Sequence, residues 1–150
     1  MSMLADFDAM EATLNPVPLF PVEAPDGRKA LAELPRQVSF LSLMRMAGPA
    51  VEVRALPNAG KRNPTKAKQE GIKAGLFDLG CWWTFGGHGL LEAKGYDASG
   101  RPGKLSKEQI DFGNLMFRMG VPVACFFTPE WAIARLIEWG APVRPVRSCT

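Results

Sequence analysis

Apolar positions along the chain change period several times. Val38, Phe40, Leu41 and Met44 fall at helical spacing until Gly48-Pro49 interrupts them. That run predicts a helix over about 35–46, with Pro35 in its first turn. "VEVRAL", residues 51–56, alternates and reads as a short strand. "PNAGKRNPTKAKQEGIKAG" reads as a long connection containing the helix-breaking Pro64. "LFDLGCWWTF", 76–85, and "GLLEAKGY", 89–96, are β-prone and joined by Gly86-Gly87-His88-Gly89, a hairpin pattern. Ser106 is a candidate N-cap for a helix from 107 to about 119, ended by Gly120. "VPVACFF", 121–127, is apolar on both faces, as an inner strand would be. Thr128-Pro129-Glu130 opens a last helix closed by Gly140.

The order α-β-β-β-α-β-α implies an α/β domain with a mixed central sheet covered by helices on its faces. Residues 1–32 hold Pro16, Pro18, Pro21, Pro25 and Gly27 without sustained periodicity, so they are expected to form an extended or partly disordered arm. The domain is expected over 33–140, followed by a tail over 141–150 with two prolines and two arginines.

Composition narrows the class. A chain of 150 residues fits one domain with one sizeable core. No apolar run approaches the roughly 18 residues of a membrane span, and the acidic stretch Met1–Met10 lacks signal-peptide order. The three cysteines, Cys81, Cys125 and Cys149, fit neither a CxxC knuckle nor a disulfide framework, so a reduced, cytoplasmic protein is expected. Net charge is only +3, too weak to imply a polyanionic partner, but its distribution is uneven. Lys61, Arg62, Lys66, Lys68 and Lys73 face the single Glu70 within one stretch. Such a run is either a solvated surface or a segment that contacts a phosphate backbone.

Candidate chemistry lies in the hairpin. Side chains alternate along a strand, so Glu92 and Lys94 share a face while Ala93 points the other way. A turn about Gly86-Gly87 sets Asp78 opposite Lys94 or Gly95, with Glu92 on the diagonal within roughly 7–8 Å. Two carboxylates that close repel unless a cation or proton lies between them. Mg²⁺ or Mn²⁺ meets that need, with the Ala93 backbone carbonyl as a further oxygen ligand. Lys94 beside the metal would orient or deprotonate an attacking water in phosphodiester hydrolysis. The competing reading is an exposed Glu92–Lys94 charge pair.

The segments "KAGLFDLGCWW", "GGHGLLEAKG" and "GKLSKEQIDFGNLMFRMGVPVAC" together resemble the VRR-NUC domain, a branch of the PD-(D/E)XK, or restriction-endonuclease-like, nucleases. The resemblance runs from about Glu33 to Gly140. Lys73-Ala74-Gly75-Leu76-Phe77-Asp78, Glu92-Ala93-Lys94 and Gly103-Lys104-Leu105-Ser106-Lys107-Glu108-Gln109 fill three of the family's motifs in order. It implies a restriction-endonuclease-like core, Asp78 and Glu92 as metal ligands, Lys94 as the catalytic lysine and Gln109 as an active-site helix residue. Glu33 and Gln37 match the first-helix pair loosely, with Pro35 between them setting Glu33, the extra ligand, ahead of the helix. Gln109 is also placed to close a capping box with Ser106. His88 either meets the scissile phosphate or only forms a turn, and Lys61, Arg62, Lys66, Lys68 and Lys73 are expected on DNA. Trp82 and Trp83 point to opposite faces and are expected to be core residues, with one of them against a subunit or base as the alternative. Short stand-alone members of the branch, often phage-encoded, act as homodimers on branched DNA such as four-way (Holliday) junctions, which sets the expected activity. A flap or fork nuclease, or a non-catalytic DNA-binding protein of the same fold, is the alternative.

Overall fold

The computed structural model describes residues 16–57, 63–71 and 73–147. A four-stranded sheet in the order β1-β2-β3-β4 lies at the centre. Its strands are β1 (Glu52–Ala55), β2 (Leu79–Trp83), β3 (Gly87–Ala93) and β4 (Val123–Phe126). The first three pair antiparallel and β4 runs parallel to β3. The helices are α1 (Glu33–Ala47), α2 (Pro64–Gln69), α3 (Lys107–Arg118) and α4 (Pro129–Glu138). This is the mixed α/β arrangement implied by the pattern, with one short helix more.

Alternation along the inner strands builds a core on each face of the sheet. Leu91, Ala93, Ala124 and Phe126 turn toward Phe40 and Met44 of α1 and Ile133 and Leu136 of α4. Leu90, Val123 and Cys125 turn the other way, toward Phe20, Phe77 and the α3 residues Phe112 and Met116. An inner strand is therefore apolar on both faces, as Val123–Phe126 is.

Pro64 starts α2 instead of breaking it. It occupies the first turn, where its missing N–H would have had no partner, and the Asn63 side chain accepts from Thr65 N and Lys66 N. Helix α1 likewise begins at Glu33, two residues before Pro35, so Glu33 lies on the helix and not ahead of it. The β2–β3 loop is Thr84-Phe85-Gly86, since Trp83 pairs with Gly87. Phe85 and Gly86 both have positive φ, 63° and 73°, which moves the centre of the turn back from Gly86-Gly87.

The described part of the expected arm, residues 16–32, is extended and docked along the domain. Glu23 N donates to Cys125 O (2.9 Å) and Cys125 N to Pro21 O (3.0 Å), so Val22 pairs in parallel with the outer side of β4. Asn114 accepts from Leu19 N at 2.7 Å and donates to Val17 O at 2.9 Å. The Glu23 carboxylate accepts from Phe127 N, Thr128 N and Thr128 Oγ1 at the start of α4. Arg36 shares the buried stripe of α1 with Phe40 and Met44. Its guanidinium donates to Asp26 and to the carbonyls of Arg28, Leu31 and Phe127, and it lies against the rings of Tyr96 and Phe127.

Candidate metal centre

Three glycines let separate segments converge at one end of β2 and β3. Gly75, at φ +98°, lies so close to α3 that a Cβ would come within 2.3 Å of Glu108 O. That contact presses the approach to Asp78 against the first turn of α3, where Gln109 sits. Gly95 follows Lys94 directly, and a Cβ there would meet Glu33 N at 2.3 Å and the Ala32 carbonyl carbon at 2.4 Å. The start of α1 is thereby brought against the end of β3. A Cβ on Gly103 would lie 3.0 Å from Gly95 O and 3.4 Å from the Lys94 side chain.

Leu79 pairs with Leu91, and the register continued by one residue sets Asp78 opposite Glu92. The diagonal placement expected from a turn at Gly86-Gly87 is corrected by the Thr84-Phe85-Gly86 loop, which brings the two carboxylates closer. Asp78 N donates to Glu92 Oε2 (2.9 Å) and Ala93 N donates to Asp78 Oδ2 (3.1 Å). The Ala93 carbonyl shares the strand edge of its N–H and so faces the same side. Carboxylate oxygens of Glu33, Asp78 and Glu92 all lie within 4.8 Å of one another.

Glu92 is only 2% exposed. Its Oε1 accepts from Gln109 Nε2 at 2.6 Å and pairs with Lys94 Nζ at 3.2 Å. Gln109 closes the expected capping box and also reaches Glu92. Its Oε1 accepts from Ser106 N (3.0 Å) while its own N–H donates to Ser106 Oγ (3.1 Å), closing the capping box and freeing the amide nitrogen for Glu92.

Burial raises the Glu92 carboxyl to about 7, with the Asp78 charge adding to it and Lys94 opposing. Burial also raises Asp78, against the Ala93 N–H and Lys94. Glu33 is raised by burial as well. Lys94 is pulled down by its own burial, but the charges of Glu92 and Glu33 outweigh that and leave it above the usual lysine value. The lysine therefore carries its proton, which suits an acid or an orienting cation better than a base. Three carboxylates this close could hold a divalent cation, and hard oxygen donors of this kind fit Mg²⁺ or Mn²⁺.

Other candidates lie elsewhere. His88 stacks on Trp82 with centroids 5.3 Å apart. It sits four residues before Glu92 on β3, on the order of 13 Å along the strand, so it does not reach the carboxylates. Trp83 packs against the α1–α4 core, while Trp82 is 37% exposed. Gln37 is half-buried and makes no side-chain hydrogen bond among the described residues. Lys66, Lys68 and Lys73 are exposed, and Lys61 and Arg62 lie outside the described residues. Glu33 is the carboxylate that the reading of Pro35 as the helix start set apart. Gly95, directly after Glu92-Ala93-Lys94, was the available sign that another backbone presses on this point.

No family model matches the chain, and no curated protein or solved structure matches it. Chemical meaning therefore rests on the geometry of the site.

Proposed function

We propose that this protein is a divalent-metal-dependent DNA endonuclease of the VRR-NUC type, acting on branched DNA such as four-way junctions. The observation that carries the reading is the convergence of Glu33, Asp78 and Glu92 around one point, with Lys94 and Gln109 both fixed on Glu92. A solvated Glu92–Lys94 surface pair would not be buried, would not be clamped by a glutamine from another element, and would not face two further carboxylates. Exposed Lys66, Lys68 and Lys73, on the segment leading to Asp78, support a polyanionic substrate.

Glu33, Asp78, Glu92 and the Ala93 carbonyl would hold Mg²⁺ or Mn²⁺. Such an ion polarises a phosphoryl oxygen and lowers the pKa of bound water. Gln109 holds Glu92 in one rotamer, so its second oxygen stays turned toward Asp78. Lys94 presents a protonated ammonium beside the same carboxylate, placed to orient a water or to stabilise charge developing on the phosphate oxygens.

The test is incubation of the purified protein with labelled four-way junction, flap and linear duplex DNA in Mg²⁺, Mn²⁺ or EDTA. Metal-dependent cutting is expected, strongest on the junction, and Lys94→Ala or Glu92→Gln should lower it by about 100-fold or more while DNA is still bound. Binding without cutting in every metal would instead make the protein a non-catalytic DNA-binding module.

A further inference from the structure

The sheet has two edges and they are treated differently. Residues Pro21–Glu23 cover the outer side of β4 with backbone hydrogen bonds, whereas β1 has β2 on one side and, among the described residues, no strand on the other. Leu56 N donates to Asp78 O, so residues 52, 54 and 56 turn their backbone groups to β2. By the alternation of an antiparallel ladder, Val53 and Ala55 turn theirs outward. Among the described residues nothing bonds to those outward groups.

Natural sheets often keep such an edge apart from other strands with charged side chains. Here the charges are of opposite sign and two residues apart. Glu52 and Arg54 are both exposed, at 62% and 72%, and among the described residues they pair only with each other. A second copy of Glu52-Val53-Arg54 laid antiparallel about Val53 sets each Glu52 opposite the other copy's Arg54. Those pairs fall at the non-hydrogen-bonded positions, where facing side chains are closest. Val53 meets Val53 on the axis, at the position whose N–H and C=O point outward. Beside it lies a groove of about 500 Å³ in which Leu41, Met44, Pro49 and Val51 are joined by the charged Arg45, Glu52 and Arg54, so the edge offers a second copy both apolar surface and charges of opposite sign.

We propose that β1 is the pairing edge of a symmetric dimer of this chain, formed by two β1 strands running antiparallel about a twofold axis through Val53. The dimer joins two four-stranded sheets into one of eight strands. A twofold contact of this kind is closed and self-limiting, because the two edges are used up by each other.

The test is the solution mass of the full chain by sedimentation equilibrium, with circular dichroism on each variant to show that it is folded. Wild-type protein is expected at twice the 16.4 kDa chain mass. Glu52→Arg alone sets Arg54 against a like charge, and Arg54→Glu alone does the same for Glu52, so each single variant should be monomeric. Mixing the two single variants restores both opposite-sign pairs and should give a heterodimer, and the double variant Glu52→Arg/Arg54→Glu should dimerise by itself. Wild-type chain that remains monomeric at its highest soluble concentration would overturn the proposal. So would a dimer whose mass ignores both single substitutions, or single variants that fail to combine when mixed.

Discussion

Glu92 carries opposing demands, since it is nearly sealed from water and yet faces Asp78 and Glu33. A carboxyl whose folded value is raised binds a proton more tightly in the folded chain than in the unfolded one. Its contribution is complete below the unfolded value of 4.5 and is lost as pH rises through about 7. Asp78 and Glu33 shift in the same direction. Metal-free protein in EDTA should therefore lose stability between pH 5 and pH 8, by up to about 3 kcal/mol from Glu92. Urea titrations should show the slope flattened in Glu92→Gln. Saturating Mn²⁺ should reverse the trend, because the cation binds the ionised carboxylates. A slope that is the same in Glu92→Gln would remove this carboxyl as its source.

Gln109 permits its two duties to be separated. Ser106→Ala removes the cap alone and should cost about 1 kcal/mol, with cleavage little changed. Gln109→Ala keeps the bond from its backbone N–H to Ser106 Oγ but removes the side-chain half of the capping box, from Ser106 N, together with the 2.6 Å bond to Glu92, and should lower both stability and turnover. Equal losses of turnover in the two variants would show that only the helix start matters.

Among the elements, placement depends on backbone contacts more than on side-chain identity. Gly95→Ala alters none of the three carboxylates, yet a Cβ there must push back the backbone at the start of α1 and with it Glu33. Mn²⁺ affinity measured by calorimetry should fall about tenfold or more, as for other residues that support a metal ligand. In a Glu33→Gln background the same glycine substitution should change the affinity no further. The helices and inner strands were legible because Leu90, Leu91, Val123, Ala124 and Phe126 repeat with the periods their elements require. Asp78, Glu92 and Lys94 were legible because spacing on paired strands brings them together. The turn was not, because Phe85 takes a left-handed conformation that a sequence reader assigns to the glycines beside it. The start of α1 was misjudged because Pro35 suits any position in a first turn, and α2 because Pro64 serves as an opener as readily as a breaker. The pairing of Val22 with Cys125 has no local signature, since neither segment alone carries a sign of the other.

The molecule as a whole is tied together by its extended segment. Arg36 is 3% exposed and every guanidinium nitrogen has an acceptor. Arg36→Leu should destabilise by about 3 kcal/mol in urea unfolding, because it strands Asp26 and three carbonyls. The Arg36 hydrogen bond holds the Asp26 carboxyl below its usual value of 3.8, so its contribution is present above that value and lost as pH falls through the folded one. Acid unfolding should begin at a higher pH in Asp26→Asn.

The same docking has a temporal side. Leu19 and its Asn114 partner are 95 residues apart, and Glu23 and Thr128 are 105 apart. At ribosomal rates of about 5–20 residues per second, the early segment waits on the order of ten seconds for the groups it will bind. Until then β4 has not been made, Pro21–Glu23 has no strand to pair with, and a nascent chain halted before Cys125 would leave that backbone open to chaperones or to other chains.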